Sequence, residues 1–300
     1  MMRPSSLYSP SPKSLFMPAI HKALITAAGP RQNTLPLQRL VDRDGVEKSA
    51  LQMIIEEVLA AGIESVGIVI RPGDEAPYRM AAGAHADRLC FLVQQEPRGY
   101  ADAILCGRDF AEDQPVLHLV GDHLYLSRTA ARCAQQLVEV AVREQCVVSA
   151  VQPTRETMLP HFGAVGATRL PQQDHLYEVH RVVEKPTPTL AEQELSVSGL
   201  RSGYYLCFFG MHVLHGQVFR LLESAIGHRS GKATLADALD ALAGKERYLA
   251  CDLEGTRFNL GVQYGLLWTQ LGLSLAGVDR ERVLADLVEL MAVQASGRLR

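Results

Sequence analysis

The chain has no C-x-x-C pair, no run of 18 apolar residues and no excess of basic charge, and each absence removes a class of function. Its six cysteines, Cys90, Cys106, Cys133, Cys146, Cys207 and Cys251, are scattered, so neither a zinc site nor a disulfide framework is spelled out. Four of them fall in apolar strand-like runs or on a helix face, which reads as buried, reduced thiols and implies a cytoplasmic location. Without a long apolar run no membrane span is expected. Residues 1–20, rich in Ser and Pro, lack the continuous apolar core of a secretory signal and read as a disordered leader. A net charge of −3 gives no concentrated basic surface, so nucleic acid is not an expected partner. Two phosphate-binding signatures are also missing. Gly29 is followed by Pro30, Arg31, Gln32, Asn33 and Thr34 where a dinucleotide fingerprint needs its second glycine. Gly231-Lys232 is followed by Ala233 where a P-loop needs Ser or Thr, and it lies far from any first strand.

What is present is an apolar content of 47% over 300 residues, enough for a sizeable core in one large or two small domains. The chain is organised around Lys22 to Pro36, an apolar run that breaks at Gly29 into a polar loop. Five or six apolar residues are too few for a helix and read as a strand covered on both faces, as in a parallel sheet. From Lys48 the residues Leu51, Ile54, Ile55, Val58 and Leu59 mark one face of a helix that closes at Gly62, and Ser65–Ile70 is a second buried strand. Strand, loop, helix and strand make a βαβ unit, whose ligands bind beyond the carboxyl ends of the strands, here along Gly29–Leu40.

Further polar residues punctuate the apolar runs. Cys90–Val93 reads as a third strand and leads into Gln94, Pro97 and Gly99, with a helix expected over 101–110. A glutamine amide offers a donor and an acceptor, which suits a nucleobase edge; an ordinary Pro-Gly loop is the plainer alternative. Val116–Asp122 is a strand tipped by a carboxylate, a ligand for a hard cation or else a turn aspartate, and His123 beside it reads as a surface or packing residue. From Pro160 the pattern changes to strand pairs: His161–Val165 and Tyr177–Pro186 are placed to pair antiparallel across the turn Pro171–Asp174. Ser202–Phe209 is a strand, and Met211–Ser224, Leu235–Leu242 and the stripe from Arg280 to Ala292 look helical. Asn259 serves as an oxygen ligand or as the N-cap of a following helix.

Taken in order, these stretches resemble the bacterial sugar-1-phosphate nucleotidyltransferases, above all the UTP–glucose-1-phosphate uridylyltransferases. Ala27-Ala28-Gly29 and Leu35-Pro36 fall in register with the family's opening Ala-Ala-Gly-x-Gly-Thr-Arg-Met-Leu-Pro. Gln94-x-x-Pro97-x-Gly99, Phe162-Gly163, Glu184-Lys185-Pro186, Gly203, Leu235-Ala-Asp-Ala238 and Asn259-x-Gly261 follow in family order. The resemblance implies a doubly wound, mostly parallel, Rossmann-like α/β fold over 21–275, with a nucleotide half at 21–158 and a sugar half at 159–275 carrying an antiparallel insertion. Residues 276–300 form a C-terminal helix in this reading. It implies attack of a sugar-1-phosphate on UTP or dTTP, giving a nucleotide-sugar and pyrophosphate, and allows homo-oligomers. Ala28, Gly29, Gln94 and Gly99 would hold the nucleotide; Gly163, Glu184, Lys185 and Gly203 the sugar phosphate; Asp122 and Asn259 a Mg²⁺ ion.

The first loop departs from the family. Its second glycine, threonine and arginine fall on Arg31, Gln32 and Asn33, and the later Pro-Lys pair is absent. Two readings stay open: Arg31 or Arg39 meets the triphosphate from a rebuilt loop, or the chain is a catalytically silent nucleotide or nucleotide-sugar binder. A chance match of motifs would predict that Gln94, Asp122, Glu184 and Asn259 do not meet in space.

Overall fold

The computed structural model describes residues 18–30, 33–229 and 233–297. Arg31, Lys232 and most of the expected leader lie outside them. The strands are β1 (Lys22–Thr26), β2 (Arg39–Val41), β3 (Glu47–Ser49), β4 (Ser65–Ile70), β5 (Leu89–Val93), β6 (Val116–Val120) and β7 (His123–Ser127). Then follow β8 (Val147–Arg155), β9 (Ala164–Arg169), β10 (Leu176–Val183), β11 (Tyr204–Leu214), β12 (Tyr248–Asp252) and β13 (Gly255–Asn259).

Nine strands form one sheet in the order β5-β4-β1-β6-β11-β8-β12-β10-β9. The first four are parallel, as their uninterrupted apolar runs require, because helices cover both faces. Ala23, Leu24 and Ile25 of β1 and Val66, Ile68 and Val69 of β4 are fully buried, at about 1.5–3 kcal/mol for each large side chain. The helix Ala50–Ala60 lies between them in sequence, its first turn capped by Ser49 Oγ, which accepts from Gln52 N at 2.9 Å.

Beyond β6 the sheet becomes mixed. β11 runs antiparallel to both β6 and β8, while β12 returns parallel to β8. β9 and β10 pair antiparallel at the far edge, with Tyr177 opposite Arg169, across the turn read from Pro171–Asp174. Two expectations need correction. Met211–Leu214 is not helical: it continues β11 against β6 past a bulge at Gly210, whose φ of +90° favours glycine, and the helix starts at Gly216. The expected helix over 101–110 is two pieces, Tyr100–Leu105 and Arg108–Ala111, broken at Gly107, where a Cβ would lie 2.4 Å from the Leu24 side chain.

A feature hidden in the sequence is the two-stranded ribbon of β7 and β13, which sets His123 opposite Asn259. A second hairpin, β2–β3, follows the first loop. Cys133, Cys146, Cys207 and Cys251 are buried and free, and burial pushes the Cys146 and Cys207 thiols up to about 11. No helix among the described residues is long and apolar enough to cross a membrane.

Candidate active site

The carboxyl ends of β1, β5 and β6 open onto a cavity of about 380 Å³. Its lining includes Ala28 and Gly29 after β1, Gln94 after β5, Asp122 after β6, Glu184 and Lys185 after β10, and Asn259 at the end of β13. Gln94, Asp122, Glu184 and Asn259, with 165 positions between the first and the last, thus meet at one place, the opposite of a chance match. Gly99 lines the cavity too, with φ at +109°, a conformation that only glycine adopts without strain.

The first loop closes on itself: Asn33 N donates to Gly29 O at 3.0 Å. Buried Tyr78 fastens it by donating to Asn33 O at 2.6 Å, and Asn33 Nδ2 donates to Asp74 at 3.2 Å. Gly29 and Pro30 line the cavity, and Arg31 follows directly in sequence, outside the described residues. Arg39 is a different matter. It stands on the β2–β3 hairpin, exposed and ion-paired with Glu47, and it is not among the cavity-lining residues, so the structure does not bring it to the site.

Gln94 is buried, and its Nε2 donates to Gly99 O at 3.1 Å and to Asp102 Oδ2 at 2.8 Å. The sequence reading gives this amide both a donor and an acceptor for a base. With both N–H bonds directed at acceptors of the chain itself, the acceptor Oε1 is what remains.

Asp122 and Asn259 flank Gly261. Asn259 Oδ1 accepts from Gly261 N at 2.8 Å, and a Cβ placed at Gly261 would lie 3.5 Å from Asp122 Oδ2 and 3.3 Å from Asn259 Oδ1, so the two oxygens stand on either side of this glycine. His123, read from sequence as a packing residue, lines the cavity and donates from Nδ1 to Asp122 Oδ1 at 2.8 Å. Among the described residues no group of three or more His, Cys, Asp or Glu side chains could hold a metal by itself. One carboxylate and one amide oxygen instead suit a hard divalent cation that keeps water and borrows phosphate oxygens.

On the other wall, burial pushes the Glu184 carboxyl above the usual range; Lys185 opposes this and Asp237 adds to it. Lys185 Nζ stands 3.9 Å from Glu184 Oε1, and the Lys185 backbone is left-handed at φ +46°. Gly163 sits beneath: a Cβ there would be 3.1 Å from Glu184 Oε2 and 2.7 Å from the Phe208 ring. Gly203 is the last residue of the turn before β11, with φ +75°, and is not among the lining residues. Sequence reasoning missed Thr26, Tyr100 and His161 as lining residues. Tyr100 follows Gly99 directly; the residue is 41% exposed overall, and loss of solvent at its hydroxyl together with the nearby carboxylates of Glu184 and Asp122 raises that hydroxyl above the ordinary value.

A mixed α/β sheet with its cavity at the carboxyl ends of parallel strands is the arrangement of nucleotide-handling α/β proteins. A profile of the nucleotidyl transferase family matches residues 39–272, and the chain belongs to that family. It is 26% identical to a UTP–glucose-1-phosphate uridylyltransferase of Streptococcus pneumoniae serotype 4, over 85% of this chain and 91% of that one. It is 28% identical to a UTP–glucose-1-phosphate uridylyltransferase of Bacillus subtilis strain 168, over 94% and 99%. Among solved structures, a UDP-glucose pyrophosphorylase in complex with UDP-glucose superposes with a TM-score of 0.68 at 20% identity, covering 84% of this chain and 98% of that one. A UTP-bound enzyme from Acinetobacter baumannii gives 0.68 at 19%, covering 90% and 98%.

Proposed function

We propose that the chain is a sugar-1-phosphate uridylyltransferase, joining UTP and a sugar-1-phosphate, with glucose-1-phosphate the first candidate, into a UDP-sugar and pyrophosphate. The observation that carries this reading is the meeting of Gln94, Asp122, Glu184 and Asn259 at one cavity within the nucleotidyl transferase fold. A phosphate oxygen of the sugar phosphate attacks the α-phosphorus of UTP; the new P–O bond forms as the bond to the β-phosphate oxygen breaks, and pyrophosphate leaves with that electron pair. Such chemistry needs positioning and charge neutralisation more than covalent help.

Each residue has a part in this proposal. Gln94 Oε1 accepts from the N3–H of uracil, or equally of thymine in dTTP, while Gly99 lets backbone approach the base. The Ala28–Gly29 backbone faces the phosphates, and Arg31, next after the lining Pro30, supplies cationic charge. Asp122 and Asn259 hold Mg²⁺, which neutralises phosphate charge when bound. Glu184 accepts from sugar hydroxyls, Lys185 meets the sugar phosphate as a point charge, and Gly163, packed behind Glu184, lets that carboxylate take its place; Gly203 has no part.

The test is pyrophosphate release with Mg²⁺, UTP and glucose-1-phosphate, beside Asp122→Ala and parallel calorimetry with UTP and UDP-glucose. Release that disappears in the variant is the expected outcome. Nucleotide binding without release, across a panel of sugar phosphates and with dTTP, would instead favour a silent binder.

A further inference from the structure

Asp102 does not line the cavity, yet it is buried, 7% exposed, one step behind the group proposed to read the base. It lies on the helix Tyr100–Leu105, and its Oδ2 accepts from Gln94 Nε2 at 2.8 Å. Its Oδ1 is 3.3 Å from Nη2 of Arg98, an exposed residue one helical turn earlier. The second N–H of Gln94 is taken by Gly99 O, which turns back toward it through the positive φ of that glycine.

This arrangement has one stable orientation. Turning the Gln94 amide over would set Oε1 against a carboxylate and a carbonyl, three acceptors with no donor among them, where both residues are buried. Nε2 is therefore held inward and Oε1 is the atom left for a ligand. We propose that Asp102 is a positioning residue for pyrimidine choice: by locking the Gln94 amide, it makes the base pocket present a fixed acceptor and so favours uracil over cytosine. The inference rests on the reading that Gln94 faces the base.

The chemistry follows from the two bases. Uracil carries a donor at N3, which an acceptor can meet; cytosine carries a lone pair at N3, which it repels. An unlocked amide can rotate about its last torsion and offer N–H to cytosine instead, so selectivity resides in the carboxylate behind the glutamine as well as in the glutamine. A carboxylate is needed because it only accepts. An asparagine at 102 presents either an oxygen or an N–H, and with the latter it would stabilise the reversed Gln94.

The experiment is equilibrium binding of UTP and CTP, by calorimetry in the presence of Mg²⁺, to the wild type, Asp102→Asn, Gln94→Ala and the double variant. Asp102→Asn is expected to lower the ratio of CTP to UTP dissociation constants about tenfold, in line with one misplaced buried hydrogen bond. The double variant is expected to match Gln94→Ala, since the carboxylate acts only through the amide. Where turnover is measurable, the loss falls on KM for UTP and leaves kcat within about twofold. Arg98→Met, at an exposed position that does not endanger folding, shifts the ratio the same way by about twofold by freeing Asp102.

A ratio that falls in Gln94→Ala but stays unchanged in both Asp102→Asn and Arg98→Met overturns the role of Asp102 and leaves the base reading intact. A ratio unmoved by Gln94→Ala overturns the base reading and the inference with it. Additive effects in the double variant overturn the proposal also, because they would show Asp102 acting by a route other than the amide.

Discussion

His123 Nδ1 donates to Asp122 Oδ1 at 2.8 Å, and the residue facing His123 across the β7–β13 ribbon is Asn259. One histidine therefore orients the carboxylate and lies on the strand that registers the amide. Partners of this kind fix ligand geometry, and losing them typically weakens metal binding about 10- to 100-fold. His123→Phe is expected to raise the Mg²⁺ concentration for half-maximal turnover by about tenfold at saturating UTP. An unchanged metal requirement would remove His123 from the site.

Glu184 provides a pH test with a definite sign. Burial raises its folded pKa above the unfolded value, so between the two values the folded state binds more protons and stability falls as pH rises through that window. Above the window the charge is a small standing cost, reduced by solvent because the Glu184 side chain is 38% exposed. Glu184→Gln should therefore melt higher than wild type at pH 8, and the difference should vanish below about pH 4, where the unfolded carboxyl is protonated as well. Its affinity for sugar phosphate should fall about tenfold at pH 8, since a hydroxyl partner is weakened. A variant that melts lower than wild type at pH 8 would show that Glu184 is held by attraction instead.

Much of this was legible because the cavity-lining residues stand where apolar runs stop. Ala28 and Gly29, Gln94 and Asp122 each follow a strand of the parallel part of the sheet, two of these strands buried and the edge strand β5 only partly so, and a parallel sheet brings such ends to one side. The β7–β13 ribbon was not legible. Its strands are five residues long, alternate only weakly, and pair across more than a hundred positions, so nothing local announces them. Met211–Leu214 misled for a related reason: three apolar residues beside a helix fit either period, and the bulge at Gly210 that keeps them in the sheet is a matter of backbone angle. Arg39 was named for its charge alone, and a charge beside Glu47 on a hairpin goes to Glu47. The role inferred for Asp102 had no sequence signal either, because a helix-borne aspartate is ordinarily solvated.

The ion cluster that ties the β2–β3 hairpin to the helix Ala50–Ala60 can be tested independently of activity. Lys48, whose side chain is 10% exposed, lies 2.8 Å from Asp42, 2.8 Å from Asp44 and 2.9 Å from Glu56. Burial pulls its pKa down, but the three carboxylates more than offset this and hold it well above the ordinary lysine value. Lys48→Met leaves Asp42 and Glu56 half-buried without their cation, and is expected to cost about 3 kcal/mol in urea unfolding. A loss under about 1 kcal/mol would mean that water replaces the lysine.

Gly163 is the tightest point of the sugar wall. A methyl group there would meet the Phe208 ring at 2.7 and 2.9 Å and Glu184 Oε2 at 3.1 Å. The ring cannot retreat freely, because Phe208 N is bonded to Gly163 O at 2.9 Å and its ring packs edge-on against His212 at 4.8 Å between centroids. The strain must then pass to the more mobile carboxylate. Gly163→Ala is expected to lose about 1–3 kcal/mol of stability. Because Glu184 is the part that gives way, the same variant should lose sugar-phosphate affinity while UTP affinity, proposed to rest on Gln94 and Gly99, stays within about twofold. Equal losses for both ligands in calorimetry would show that the two walls move together, and would sink the assignment of Gly163 and Glu184 to the sugar alone.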